Sequence, residues 1–176
     1  MTDSLQKNEL LAQAARAQAA QIVQSLAAAL TQRGWMMTSA ESCTGGLIAA
    51  ACTDLAGSSD WFERGFVSYS NAAKTELLGV PAHVIARHGA VSEPVARAMA
   101  RGAVAHARAH ASVAVTGVAG PGGGSVDKPV GTVWFGWHVP GVTETECRHF
   151  AGDRAAVRAQ TVAHALARLL QLLPPA

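Results

Sequence analysis

Strand-like and helix-like segments alternate through the first part of this chain, and the order then breaks. Trp35–Ser39, Phe66–Tyr69 and Val113–Thr116 are β-prone runs separated by helix-length stretches, whereas Thr132–Val139 and Thr143–Phe150 are joined through Pro140-Gly141. So short a connection forces an antiparallel hairpin, while long crossovers permit parallel neighbours. This order predicts an α/β fold: a three-layer α/β/α sandwich with a mixed sheet that includes a C-terminal antiparallel hairpin. With 176 residues, 49% of them hydrophobic, the chain can bury one sizeable core. The expected organisation is a single domain over 1–176, with an N-terminal helical segment at 1–33 and the core at 34–173.

Local signals divide the helices. Ser4–Arg33 reads as one long helix or two short ones, stopped by Gly34. Leu47–Leu55 is apolar and helix-prone, and Trp61 and Phe62 are expected to plug the core beside the loop that follows. Ser70-Asn71 can cap a short helix ending at Gly79, and another helical turn at Val84-Ile85 closes at Gly89. Ser92-Glu93-Pro94 starts a helix running to about Ala109, and Asp153 caps the last one, through Leu173.

The charges exclude several functions. A formal net charge of +2 with scattered arginines gives no basic stripe, and aromatics are only 5%, so a nucleic-acid partner is not expected. No apolar run is long enough for a bilayer, and no signal-peptide pattern is present. Cys43, Cys52 and Cys147 lack C-x-x-C spacing. These features predict a reduced cytoplasmic protein with a small-molecule partner and no membrane.

Ala40-Glu41-Ser42-Cys43-Thr44-Gly45-Gly46 lies between a β-prone segment and a helix-prone run. A turn there places a hydroxyl and backbone N–H groups at a helix start, which suits an anion or a developing oxyanion. Ser42 is thereby a candidate nucleophile; the alternative is that Ser42 or Thr44 simply caps the helix. Lys74 falls in the first turn of the helix capped at Asn71, where the macrodipole disfavours positive charge and burial would favour a neutral amine. Its side chain leans toward the helix N-terminus. A neutral lysine beside a serine can take its proton; the alternative is a solvated lysine. Tyr69 is placed at a strand end, its hydroxyl shuttling a proton or orienting Lys74, or as ordinary core material. If the first three strands run parallel, Ser42, Tyr69, Lys74 and the loop Gly117–Ser125 meet at one sheet edge.

That glycine loop lets backbone amides approach a phosphate or ribose. It fails the Walker pattern and the dinucleotide fingerprint. Lys128 or Arg154 could add charge for a phosphate, or be surface residues. His106 and His110, one helical turn apart, lack a third ligand, and no metal is expected. His138 and His149 are placed opposite each other across the hairpin, as packing. Cys43 ranks second to Ser42 as nucleophile because no histidine is near it in sequence.

These stretches carry a resemblance. Ala-Glu-Ser-Cys-Thr-Gly-Gly at 40–46, Phe-Val-Ser-Tyr-Ser-Asn-Ala-Ala-Lys at 66–74 and Leu-Leu-Gly-Val at 77–80 resemble the CinA C-terminal domain family. So do Gly-Ala-Val-Ser-Glu-Pro at 89–94, Thr-Gly-Val-Ala-Gly-Pro-Gly-Gly-Gly at 116–124, Lys-Pro-Val-Gly-Thr-Val at 128–133 and Gly-Asp-Arg at 152–154. The resemblance is to the family's stand-alone form, without the molybdopterin-binding-like domain of longer members. It implies hydrolysis of the carboxamide of nicotinamide mononucleotide (NMN) to nicotinate mononucleotide and ammonia, without cofactor or metal. The family's serine, tyrosine and lysine fall on Ser42, Tyr69 and Lys74. Many members have Glu where this chain has Ala72, a position expected to be peripheral. Around the substrate this reading places Glu41, Cys43, Thr44, Gly45, Gly46, Asn71, Gly117, Gly120, Gly122, Gly123 and Arg154. The N–H groups from Cys43 to Gly45 would receive the oxyanion. Family habit and the Ala-rich first helix point to a homodimer or higher homo-oligomer. A non-catalytic nucleotide-binding module and a metal hydrolase using His106 and His110 are the alternatives.

Overall fold

A computed structural model describes residues 2–175, with the backbone alone at residues 2 and 3. Five strands form one sheet in the order β2 (Phe62–Val67), β1 (Met37–Glu41), β3 (Ala111–Gly117), β4 (Thr132–Val139), β5 (Val142–His149). β1 is parallel to β2 and to β3, and β4 is antiparallel to β3 and to β5. The predicted mixed α/β sheet is thus what forms.

Period-two alternation assigns the faces. Val113, Val115, Val133, Phe135 and Trp137 point toward α1 (Thr2–Arg33), α2 (Leu47–Thr53) and α6 (Arg154–Leu172). Ala40 and Ala114 point the other way, toward α3 (Asn71–Leu78), α4 (Ala82–His88) and α5 (Glu93–Ala105). At the middle of this second face the sheet residues Ala40, Ala114 and Gly136 are small. A Cβ on Gly136 would lie 2.4 Å from the Ala96 carbonyl oxygen, so α5 sits directly on the sheet. α1 is one helix of 32 residues. Ala12, Ala15, Ala19, Val23, Leu26 and Leu30 recur at spacings of three or four and are buried with Val162, Leu166 and Leu169 of α6. The Trp137 indole N–H donates to the Ala165 carbonyl at 2.9 Å, tying α6 to β4.

The two antiparallel strands have a positional effect. β4 leaves the edge where β3 ends, Gly117 facing Val133, and β5 returns to it, His149 facing Thr132. α6 therefore begins beside the ends of the parallel strands. Asp153 caps it as expected, accepting from the Ala156 N–H at 2.9 Å, an interaction typically worth about 1 kcal/mol.

Several boundaries move. The first strand runs 37–41 rather than 35–39, which puts Glu41 on the strand and Ser42 just past its end. The second runs 62–67 rather than 66–69; its Glu63-Arg64-Gly65 centre is polar because β2 is an edge strand. α5 stops at Ala105, short of Ala109, because the His110 and Ala111 N–H groups both bond to the Met36 carbonyl and pull the chain into the sheet. The Ser92 hydroxyl donates to the Gly89 carbonyl instead of capping α5. Trp61 is a core plug as expected, whereas Phe62 opens β2 and is only partly buried. His138 faces Thr143 and His149 faces Thr132, so these histidines sit at opposite ends of the hairpin rather than opposite each other. Among the described residues no helix is long and apolar enough to cross a membrane.

Candidate active site

Because β1, β2 and β3 are parallel, the segments leaving them converge at one edge of the sheet. A cleft of about 210 Å³ opens there, lined by Ser42, Tyr69, Lys74, Thr116, Gly117 and Arg154 among others. The convergence inferred from the strand order is therefore present for Ser42, Tyr69, Lys74 and Gly117.

At its floor the Lys74 Nζ atom lies 3.0 Å from Ser42 Oγ. Lys74 is 1% exposed, and its other two hydrogen-bond partners among the described residues are the main-chain oxygens of Ser68 at 2.8 Å and Tyr69 at 3.2 Å. Both of those can only accept. A neutral amine has two N–H bonds, which the two carbonyls absorb, and one lone pair, which is left for the serine hydroxyl. Burial lowers the Lys74 pKa, with Cys43 opposing the shift more weakly. Ser70, not Asn71, caps α3, accepting from the Ala73 N–H, so Lys74 sits in the fourth helical position and its amine reaches back past the helix start.

The serine turn differs from its expected form. Neither Ser42 nor Thr44 caps α2; Gly46 stands at the cap with φ +100° and no side-chain bond. The donors at the start of the helix go to Glu41. Its Oε2 accepts from Thr44 Oγ1 at 2.7 Å, Ile48 N at 2.9 Å and Gly46 N at 3.0 Å, and its Oε1 from Ala49 N at 2.9 Å and Ser39 Oγ at 3.1 Å. Glu41 is fully buried, so it is no substrate contact, and the helix start is not free for a ligand anion. The Thr44 hydroxyl is spent in the same cluster. Ser42 N–H donates to Val115 O and Gly45 N–H to Ser42 O, which removes Gly45 and Gly46 as oxyanion donors. Among the described residues, the N–H groups of Cys43 and Thr44 are the turn's donors not committed to another residue.

Cys43 lines the cleft, but burial pushes its thiol up to about 12, which disfavours a thiolate nucleophile. Tyr69 lies past the end of β2 and is 62% exposed. It meets Lys74 through its carbonyl rather than its hydroxyl, which instead lies 3.5 Å from an Arg154 Nη atom. Arg154 also donates to the Gly120 carbonyl at 2.9 Å.

A second cavity of about 630 Å³ adjoins the cleft, sharing Ala119 and Arg154 with it and bordered by Gly120 and Arg158. Arg158 was not foreseen, although it lies one helical turn after Arg154. It donates to the Thr44 carbonyl at 2.7 Å, and its Nε is buried with no partner among the described residues. Ser68 and Thr116 also escaped notice. Gly122 and Gly123 lie in the exposed tip of the glycine loop and line neither cavity; Asn71, exposed in the first turn of α3, lines a separate hollow with Ala82 and Ile85. Lys128 Nζ donates to the His88 carbonyl, outside the cleft. His106 bonds to the Gly102 carbonyl and His110 accepts from the Met36 N–H, so they do not act together. Among the described residues no group of three His, Cys, Asp or Glu side chains is placed to hold a metal ion.

The CinA C-terminal domain model matches residues 19–173. The chain belongs to that family. It is 54% identical over 154 residues to nicotinamide-nucleotide amidohydrolase PncC of Escherichia coli K12, covering 86% of this chain and 92% of the relative. The Pseudomonas putida protein of the same name is 58% identical over 136 residues, 77% of this chain and 85% of the relative. The crystal structure of competence/damage inducible protein CihA from Agrobacterium tumefaciens superposes with a TM-score of 0.86 at 43% identity, covering 88% of this chain and 95% of that one. As a CinA C-terminal domain protein, the chain shares its fold with solved members of the family.

Proposed function

We propose that this CinA-family protein is an amidohydrolase that converts NMN to nicotinate mononucleotide and ammonia. The observation that carries the reading is the buried Lys74 amine 3.0 Å from Ser42 Oγ, with main-chain oxygens as its other partners. The names of the E. coli and P. putida relatives supply the substrate class.

Ser42 Oγ attacks the carboxamide carbon as its proton passes to Lys74 Nζ. The carbonyl oxygen takes up negative charge facing the N–H groups of Cys43 and Thr44; one such donor is typically worth about 3 kcal/mol. Lys74 returns the proton to the nitrogen, the C–N bond breaks, and ammonia leaves an acyl-serine. Water then attacks that ester, giving its proton to Lys74, and Ser42 is regenerated as nicotinate mononucleotide departs. The substrate's pyridinium ring withdraws electrons from the carbon under attack, which eases both additions. Arg154, and Arg158 in the adjoining cavity, supply positive charge for the phosphate. Tyr69 serves the ligand at the cleft mouth rather than the base. No step uses a metal.

Purified protein incubated with NMN and EDTA tests this directly. Ammonia and nicotinate mononucleotide should form in equal amounts at the rate seen without chelator. Chelator-sensitive release would overturn the metal-free route, and NMN binding without release would favour the nucleotide-binding alternative.

A further inference from the structure

We infer that Glu41 is the positioning residue of this site, holding both halves of the Ser42–Lys74 pair in register. The inference rests on the amidohydrolase reading and deepens it.

Five donors converge on the Glu41 carboxylate. They come from β1 (Ser39), the serine turn (Thr44 and Gly46) and the first turn of α2 (Ile48 and Ala49). The loop that carries Ser42 is therefore fastened at both ends to one side chain. The main-chain oxygen of the same residue accepts from the Ser68 N–H at 2.8 Å, and the Ser68 carbonyl accepts from Lys74 Nζ. One residue thus fixes the turn bearing the hydroxyl and anchors the strand end that holds the amine. Glu41 touches neither reacting atom, and its burial keeps it from the substrate.

Glutamine cannot replace it. Oε2 faces two backbone N–H groups and Oε1 faces one. A carboxamide turned either way sets its own NH₂ against at least one of them. Hydroxyl partners can rotate to accept, but backbone N–H groups cannot. The turn must shift, and a misplacement of about 1 Å between reacting groups can cost about a hundredfold in rate.

The test compares the parent with Glu41→Gln. The variant is expected to keep the parental circular dichroism, lose about a hundredfold in kcat and hold KM within about threefold, since the phosphate contacts lie on α6. Its kcat/KM should keep the parent's acid limb. A folded Glu41→Gln with kcat within threefold of the parent would overturn the inference. So would a displaced acid limb, because the carboxylate would then act on the charge of Lys74 rather than on placement. Should Glu41→Gln fail to fold, Thr44→Val removes a single donor; a drop of about tenfold in kcat at constant KM is expected, and unchanged kcat overturns the inference. Labelling of Ser42 by phenylmethanesulfonyl fluoride, followed by mass, needs no NMN. If the parent releases no ammonia but labels, and the variant labels at least tenfold more slowly, the amidohydrolase reading fails while the positioning role stands. Equal labelling of the two folded proteins sinks the positioning role alone.

Discussion

Lys74 Nζ meets Ser42 Oγ at 3.0 Å across a sequence separation of 32 residues, and among the described residues its other hydrogen-bond partners are main-chain oxygens. The contact joins the turn that leaves β1 to the helix that follows β2, and those two strands are parallel neighbours.

Replacing Ser42 by Ala removes the nucleophile and little else, because the hydroxyl's bond is to Lys74 and the backbone N–H keeps Val115. Ammonia release from NMN should fall by about a hundredfold or more, while the melting temperature moves by no more than about 2 °C. A coupled ammonia assay and a thermal melt on the same preparation check both.

The pH dependence follows from the direction of the Lys74 shift. Burial moves its pKa below the ordinary 10.5, and the neutral amine is the working form. Accordingly kcat/KM should rise with pH along a limb of unit slope whose midpoint lies below 10.5. Stability carries the same signature. Between the folded-state pKa and 10.5 the unfolded chain binds more protons at this site, so Lys74 makes stability rise with pH across that window. Cys43 and Cys52, both raised by burial, act in the opposite sense above pH 9.0, where unfolded thiols ionise first. Subtracting the unfolding profile of Lys74→Met from that of the parent isolates the lysine's part.

Thiol chemistry separates the candidate nucleophiles. Burial raises the pKa of Cys43 and Cys52 strongly and shields both thiols, whereas Cys147, raised too by partial burial and by Glu146, is exposed on β5. Iodoacetamide at neutral pH should label Cys147 alone and leave ammonia release intact, as read by peptide mass mapping and the activity assay. Inactivation that tracks modification of Cys43 would move the nucleophile to that residue.

Gly102 tests the tight packing under the site. A Cβ there would lie 1.9 Å from the Leu78 carbonyl oxygen, at the end of the helix that carries Lys74. Gly102→Ala should cost about 2 kcal/mol or more in denaturant unfolding. Gly34→Ala meets no neighbour within 4 Å, so it reports only the strain of a positive φ.

Much of this site was legible in the sequence because strand order alone sends three connections to one edge, and Ser42, Tyr69, Lys74 and Gly117 lie at or just past the ends of those strands. The role of Glu41 was not. Two of its five donors lie on the next helix, seven and eight residues on, and only the three-dimensional turn reveals that it takes the donors expected to serve a ligand. Tyr69 differs for a related reason: residue type advertises a hydroxyl, whereas the hydrogen bond it makes to Lys74 runs through the peptide oxygen. Arg158 could have been found by carrying Arg154 one helical turn forward. The shifted start of β2 reflects an edge strand whose polar centre carries no apolar alternation.

The cradle around the Lys74 amine has a corollary for how its neighbours can vary. Peptide oxygens at 68 and 69 survive every exchange of the side chains attached there, so replacing those residues one at a time would leave the cradle's contribution invisible. Only an alteration of the main chain itself, such as an ester in place of the amide linking 68 to 69, would weaken the acceptor and expose what it does.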